Sequence, residues 1–143
     1  LNTPGIALAG MPGVHALTDV TGFGLAGHLL EICRGSKLGA EIDFAALPVI
    51  DEALAWVKAG VATGASERNW NGYGRDVELP ADAPAWARTL VTDPQTSGGL
   101  LVACAPEDAP RVLAEFRAHG FDAARVIGRL KEGSAQVRVR GSG

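Results

Sequence analysis

Thr18-Asp19-Val20-Thr21-Gly22-Phe23-Gly24-Leu25-Ala26-Gly27-His28 runs from a short strand, through a glycine turn, into a helix. Residues 15–20 have strand composition and are bounded by Gly13 and Gly22. Beyond the turn, Phe23, Ala26, Leu29, Leu30 and Cys33 fall on one face at helical spacing, so a helix is expected over 22–34 with Thr21 as its cap. Working outward, 40–44 reads as a strand and 50–59 as a helix stopped by Gly60. Residues 61–83 are poor in apolar side chains and read as a long loop. A short helix over 85–90, a buried strand over 98–105 and a helix over 107–119 follow. Pro110 falls in the first turn of the last helix, where a missing N–H is harmless. Segments 125–130 and 135–140 read as a hairpin around Glu132-Gly133. Strands and helices mix without a regular βαβ rhythm. The expected class is α+β, a mixed sheet with helices packed mainly on one face.

Composition narrows the possibilities. The chain has 143 residues, 47% hydrophobic and 20% charged, which suits one globular domain. Thirteen basic and 16 acidic residues leave a net charge of −3, a poor match to a protein that grips nucleic-acid phosphates. No apolar run approaches the roughly 20 residues of a membrane-spanning helix. Neither nucleic acid nor membrane is therefore an expected partner. Cys33 and Cys104 stand far apart with no CxxC and read as small buried hydrophobes of a reduced, cytoplasmic protein. No basic leader precedes Val14. The 19 glycines cluster with Thr, Ser and Asp, which points to sites built from backbone. Residues 1–14 are expected as an irregular lead-in, because Pro4, Gly5, Pro12 and Gly13 interrupt a helix there. Residues 15–143 are expected as a single domain. A start at Leu1 rather than Met fits a piece of a longer protein.

Gly22, Gly24 and Gly27 match G-x-G-x-x-G between a strand and a helix, with Glu41 and Asp43 about 20 residues on, which is the dinucleotide-binding pattern. Asp19 speaks against it, since a carboxylate where a pyrophosphate docks repels the phosphates unless a cation lies between them. The strand is also short and polar rather than a buried Val/Ile run. An Asp beside a glycine turn and a helix N-terminus suits a Mg²⁺-nucleotide, the metal keeping most of its other ligands as phosphates and waters. The alternative is an Asp19 that only shapes the turn or caps the helix. Thr92-Asp93-Pro94-Gln95-Thr96-Ser97-Gly98-Gly99 either offers hydroxyls and N–H groups to phosphate oxygens or closes as a self-satisfied turn. In Gly64-Ala65-Ser66-Glu67-Arg68-Asn69-Trp70, Arg68 is either a two-pronged anion contact or a surface residue. His15, His28 and His119 form no metal-ligand set, and His28 reads as a hydrogen-bonded structural residue. No Ser–His–Asp order or G-x-S-x-G elbow is present, so the chain displays no nucleophile.

Taken in order, TDVTGFGLAGH at 18–28, GASERN at 64–69, DPQTSGGLL at 93–101 and VIGR at 126–129 resemble the selenophosphate synthetases (selenide, water dikinases). These lie within the aminoimidazole-ribonucleotide-synthetase (PurM-like) superfamily, and the likeness is to the family's C-terminal domain. The resemblance implies ATP-dependent phosphoryl transfer, in which ATP, selenide and water give selenophosphate, AMP and phosphate. It implies that Asp19 contacts a Mg²⁺ shared with an N-terminal ATP-binding domain lying outside this chain. That domain would carry the reactive Cys or selenocysteine and a Lys, leaving no catalytic residue in these 143 positions. The implied wall of the nucleotide cleft comprises Thr18, Thr21, Gly22, Gly24, Asn69, Asp93, Thr96, Ser97 and Gly98. An intact homodimer and an inactive isolated domain are further implications. The competing expectation is a free-standing, non-catalytic domain of the same superfamily that binds a nucleotide or a partner.

Overall fold

A computed structural model describes residues 2–141. Helix α1 (Gly5–Ala9) is short and is pinned by the buried Pro4 and Leu8, so the expected lead-in 1–14 contains a helix. Strand β1 (Val14–Asp19) leads through the glycine turn into α2 (Gly24–Ser36). Helix α2 begins two residues later than expected, and no side chain caps its first turn. Ala26, Leu29, Leu30 and Cys33 of the expected face are buried, Ile32 is buried with them, and Phe23, expected on that face, instead precedes the helix and is 58% exposed. It ends at Lys37, whose left-handed backbone (φ 56°) closes the last turn with an N–H bond to the Cys33 carbonyl.

Strand β2 (Leu38–Asp43) follows, and Asp43 accepts a hydrogen bond from the Ala45 N–H to start a turn of 3₁₀ helix. Helix α3 (Asp51–Lys58) carries acidic residues in its first turn and Lys58 in its last, which complements the helix dipole.

Residues 61–83 are not a loop. They contain α4 (Gly64–Tyr73) and the two-residue strand β3 (Val77–Glu78). Thr63 caps α4 by accepting from the Ser66 N–H. The helix lacks an apolar stripe because the face it buries carries Ser66, Asn69 and Tyr73, whose partners are polar groups elsewhere in the fold. Helix α5 (Ala85–Thr92), strand β4 (Leu100–Cys104) and helix α6 (Ala109–Ala118) then follow, and β5 (Gly128–Glu132) and β6 (Val137–Arg140) complete the chain.

The class is α+β, but the strands form two sheets rather than one. Strands β1 and β4 pair antiparallel, with Asp19 opposite Leu100, and the larger sheet runs β3-β6-β2-β5. Strands β5 and β6 do not form the expected hairpin. Strand β2 lies between them, antiparallel to β5 and parallel to β6. Gly128 permits that insertion, since a Cβ there would stand 2.0 Å from the Glu41 carbonyl oxygen. Ala40, Ile42, Val77, Val137 and Val139 face the helices and form one core with Leu29, Leu30, Cys33 and Val91.

The opposite face of this sheet is charged. At its centre Glu41 is only 4% exposed. Arg140 lies 2.7 Å from its carboxylate, Arg129 3.1 Å and Arg138 4.0 Å, and Lys131 also pairs with it. The hydrogen bonds from Lys131 and then Arg140 hold the Glu41 carboxyl down at about 2, against the opposing pull of burial. An unfolded Glu titrates near about 4.3, so on acidification the unfolded chain takes up this proton first. The stabilisation is present above the unfolded value and disappears as pH falls through about 2. Thermal unfolding followed from pH 6 to pH 2 should therefore show a shallower fall in Tm for Glu41→Gln than for the unsubstituted chain.

Candidate functional site

The three motif-bearing segments meet at the end of β1. Val20 donates its N–H to the Gly99 carbonyl at 2.9 Å and accepts from the Gly98 N–H at 3.1 Å, while the Thr21 carbonyl accepts from Gln95 at 3.0 Å. The glycine turn and the 93–99 turn are thus laced backbone to backbone. Two glycines allow this closeness. A Cβ on Gly24 would stand 2.8 Å from both the Asp93 carbonyl oxygen and the Thr92 carbonyl carbon, and Gly24 also has a positive φ of 69°. A Cβ on Gly98 would meet the Val20 carbonyl oxygen at 2.6 Å.

Side chains from α2 and α4 hold further polar groups of the turns. His28 Nε2 accepts the Thr21 N–H at 3.0 Å and contacts the Thr21 hydroxyl at 3.1 Å, so this nitrogen acts as an acceptor. Thr21 is therefore held by His28 and does not cap α2 through its side chain. The Tyr73 hydroxyl donates to the Phe23 carbonyl, and burial pushes this phenol up to about 12, which keeps it a donor. Asn69 Nδ2 donates to the carbonyls of Gly22 at 2.9 Å and Thr92 at 3.0 Å. Asp93 accepts from the Ser66 hydroxyl at 3.3 Å and from Gln95 Nε2 at 3.0 Å.

Other groups at the same place stay exposed. Asp19 is exposed at the end of β1, next to Thr18, whose hydroxyl donates to the Asp19 carbonyl. Gly22, Thr96, Ser97 and Gly98 are exposed on the turns, and Phe23 is 58% exposed between the two glycines. Among the described residues, no group of three or more His, Cys, Asp or Glu is placed to hold a metal ion. Asp19 by itself offers one hard oxygen ligand, a fit only for a cation that takes its other ligands elsewhere. Two surface hollows, one lined by Phe44, Leu54 and Trp86 and the other by Ala16, Leu38 and Leu130, lie away from these turns.

The family model described as AIR synthase related protein, C-terminal domain, matches residues 4–140. The chain belongs to that family. Over 139 residues, 97% of the chain, it is 56% identical to a selenide, water dikinase of Paraburkholderia xenovorans and 59% identical to one of Burkholderia orbicola. It is 50% identical to one of Rhizobium meliloti over the same length. The chain spans about two fifths of the curated relatives it matches (39% for the first two). Among solved structures, E. coli HypE, a hydrogenase maturation protein, superposes with a TM-score of 0.60 at 24% identity, covering 97% of this chain and 35% of that one. Thiamine-monophosphate kinase from Stenotrophomonas maltophilia superposes at 0.53 with 21% identity, over 91% of this chain and 32% of that one. These two likenesses concern the fold.

Within this AIR synthase related domain, Thr18, Asp19, Thr21, Gly22, Gly24, Asn69, Asp93, Thr96, Ser97 and Gly98 all fall in the one region. Tyr73 and Ser66 join them, and a helical reading of 64–73 would have found both on the Asn69 face. The acidic pair expected to mark a dinucleotide site is occupied otherwise. Glu41 is sealed among cations, and Asp43 caps a turn. Arg68 is an exposed residue of α4. Cys33 is buried as expected, whereas Cys104 is only half-buried; burial raises both thiols, with Asp108 and Glu107 adding to the shift at Cys104.

Gly24→Ala combines a positive φ with a backbone clash and should cost about 1–3 kcal/mol of unfolding free energy. Gly22→Ala, with nothing within 4 Å of the added Cβ and no positive φ, should stay within about 0.5 kcal/mol of the unsubstituted chain. Urea unfolding of the two variants side by side checks both values.

Proposed function

We propose that this domain is the C-terminal part of a selenide, water dikinase and forms one wall of its ATP cleft. The observation that carries this reading is a division among the motif residues. His28, Asn69, Tyr73 and Ser66 are turned inward to hold two turns together, while Asp19, Gly22, Thr96 and Ser97 stay exposed on the outer side of the same turns. Hydroxyls and backbone N–H groups on glycine-rich turns are suited to phosphate oxygens. The relatives' name supplies the substrates, selenide and water, and the class of reaction.

On this reading ATP, selenide and water yield selenophosphate, AMP and phosphate, and catalysis consists mainly of positioning and charge neutralisation. Mg²⁺ would neutralise charge on the phosphates, with Asp19 as this domain's contact to it. The exposed carboxylate at the end of β1 is what that role requires, because the other ligands come from the nucleotide and a second domain. Thr96 and Ser97 would donate to phosphate oxygens, and Gly22 lets the backbone come close. The nucleophile-handling Cys or selenocysteine and Lys, the N-terminal ATP-binding domain and the homodimer contacts belong to the rest of the protein. The isolated domain would then be inactive, and the site of action cytoplasmic.

In the intact protein, Asp19→Asn should lower Mg²⁺-dependent, selenide-dependent ATP turnover about 100-fold while circular dichroism and Tm stay near normal. Turnover within twofold of the unsubstituted protein would overturn the assignment of Asp19. Absence of any selenide-dependent ATP turnover in the unsubstituted intact protein would overturn the activity itself.

A further inference from the structure

We propose that Asn69 is the positioning residue of this site, setting the gap between the glycine turn and the 93–99 turn, and with it the place of Asp19, without touching a ligand. This rests on the phosphate-cleft reading above. The geometry behind it is a count of donors. An Asn amide has two N–H groups, and one nitrogen supplies both contacts, 2.9 Å to the Gly22 carbonyl and 3.0 Å to the Thr92 carbonyl. Nothing on that nitrogen remains for a phosphate.

The two carbonyls belong to different elements. Gly22 lies in the turn that opens α2, and Thr92 is the last residue of α5, so Asn69 ties the start of one helix to the end of another. Between those ends the backbones lie close at Gly24, where there is no room for a side chain. Asp19 precedes Val20, whose N–H and carbonyl are both bonded to the 93–99 turn. A shift of that turn relative to the glycine turn therefore moves Asp19. A displacement of about 1 Å at a reacting centre can cost about 100-fold in rate.

Few side chains can replace this amide. Asp has nearly the same shape but no N–H, and it would set a carboxylate against two carbonyl oxygens. Ser keeps a single short donor and can serve one carbonyl at a time. Gln carries the amide one methylene too far. The flanking anchors on the same helix, Ser66 to Asp93 and Tyr73 to the Phe23 carbonyl, keep α4 docked when Asn69 changes, so loss of the tie need not unfold the helix.

The experiment uses the intact protein with Asn69→Asp and Asn69→Ser, each assayed well below its own Tm. Mg²⁺-ATP steady-state kinetics should show a KM for ATP raised at least tenfold in Asn69→Asp, with Asn69→Ser between it and the unsubstituted protein. The KM for selenide should stay within twofold in both. Amide hydrogen exchange read by mass spectrometry supplies a measurement independent of activity. Peptides spanning 18–28 and 92–101 should exchange at least tenfold faster in Asn69→Asp, while the 137–140 strand is unchanged. A folded Asn69→Asp protein with unaltered ATP KM, or with unaltered exchange in those two peptides, would overturn the positioning role. If the unsubstituted protein turns over no ATP, the cleft reading fails, and accelerated exchange would then support only the mechanical tie.

Discussion

The site depends on close approach between main chains: Gly24 at the start of α2 lies directly against Thr92 and Asp93 at the end of α5. Any side chain at Gly24 would force the two helix ends apart, so the geometry around them depends on a missing Cβ and a left-handed φ. Two helix ends brought together leave orphan backbone groups on both sides. Asn69 satisfies one such group, the Thr92 carbonyl, together with the Gly22 carbonyl, while His28 and Tyr73 bond the Thr21 N–H and the Phe23 carbonyl in the turn before α2.

A second backbone approach organises the larger sheet. Gly128 lets β5 lie against β2, and the next residue, Arg129, reaches the carboxylate of Glu41 on that strand. Lys131 and Arg140 close over the same carboxylate from β5 and β6. With these cations on its carboxylate, Glu41 is only 4% exposed. VIGR thus acts in the fold, away from the 18–28 and 93–99 turns, and the acidic residue that seemed to complete a dinucleotide motif is one partner in a sheet-spanning ion cluster.

Much of the architecture was legible because its signals were local. The α2 stripe, the Thr18–Gly24 turn, the β4 run and the Pro110 helix start each depend on residues within one or two turns of chain. Helix α4 leaves no local signal because its docking face is polar, and polar residues mark a buried face only once their partners are known. Those partners lie far off in sequence: Asn69 reaches Gly22 and Thr92, and Tyr73 reaches Phe23. The expected hairpin of β5 and β6 failed for a related reason. Both strands flank a Glu132-Gly133 turn, but β2, from about 90 residues upstream, lies between them and pairs with each.

By itself the sequence determined the class, the motif segments and the residues from which a phosphate-binding wall would be chosen. It did so because glycine turns, capping residues and apolar periodicity are consequences of short-range sterics and hydrogen bonding. Only the tertiary structure decided which motif residues hold the site and which present it. That division depends on where each donor finds an acceptor, and for Asn69, Tyr73 and Glu41 the partners come from distant segments. One list of polar residues in the sequence becomes, in the folded chain, an inner set of ties and an outer edge headed by Asp19.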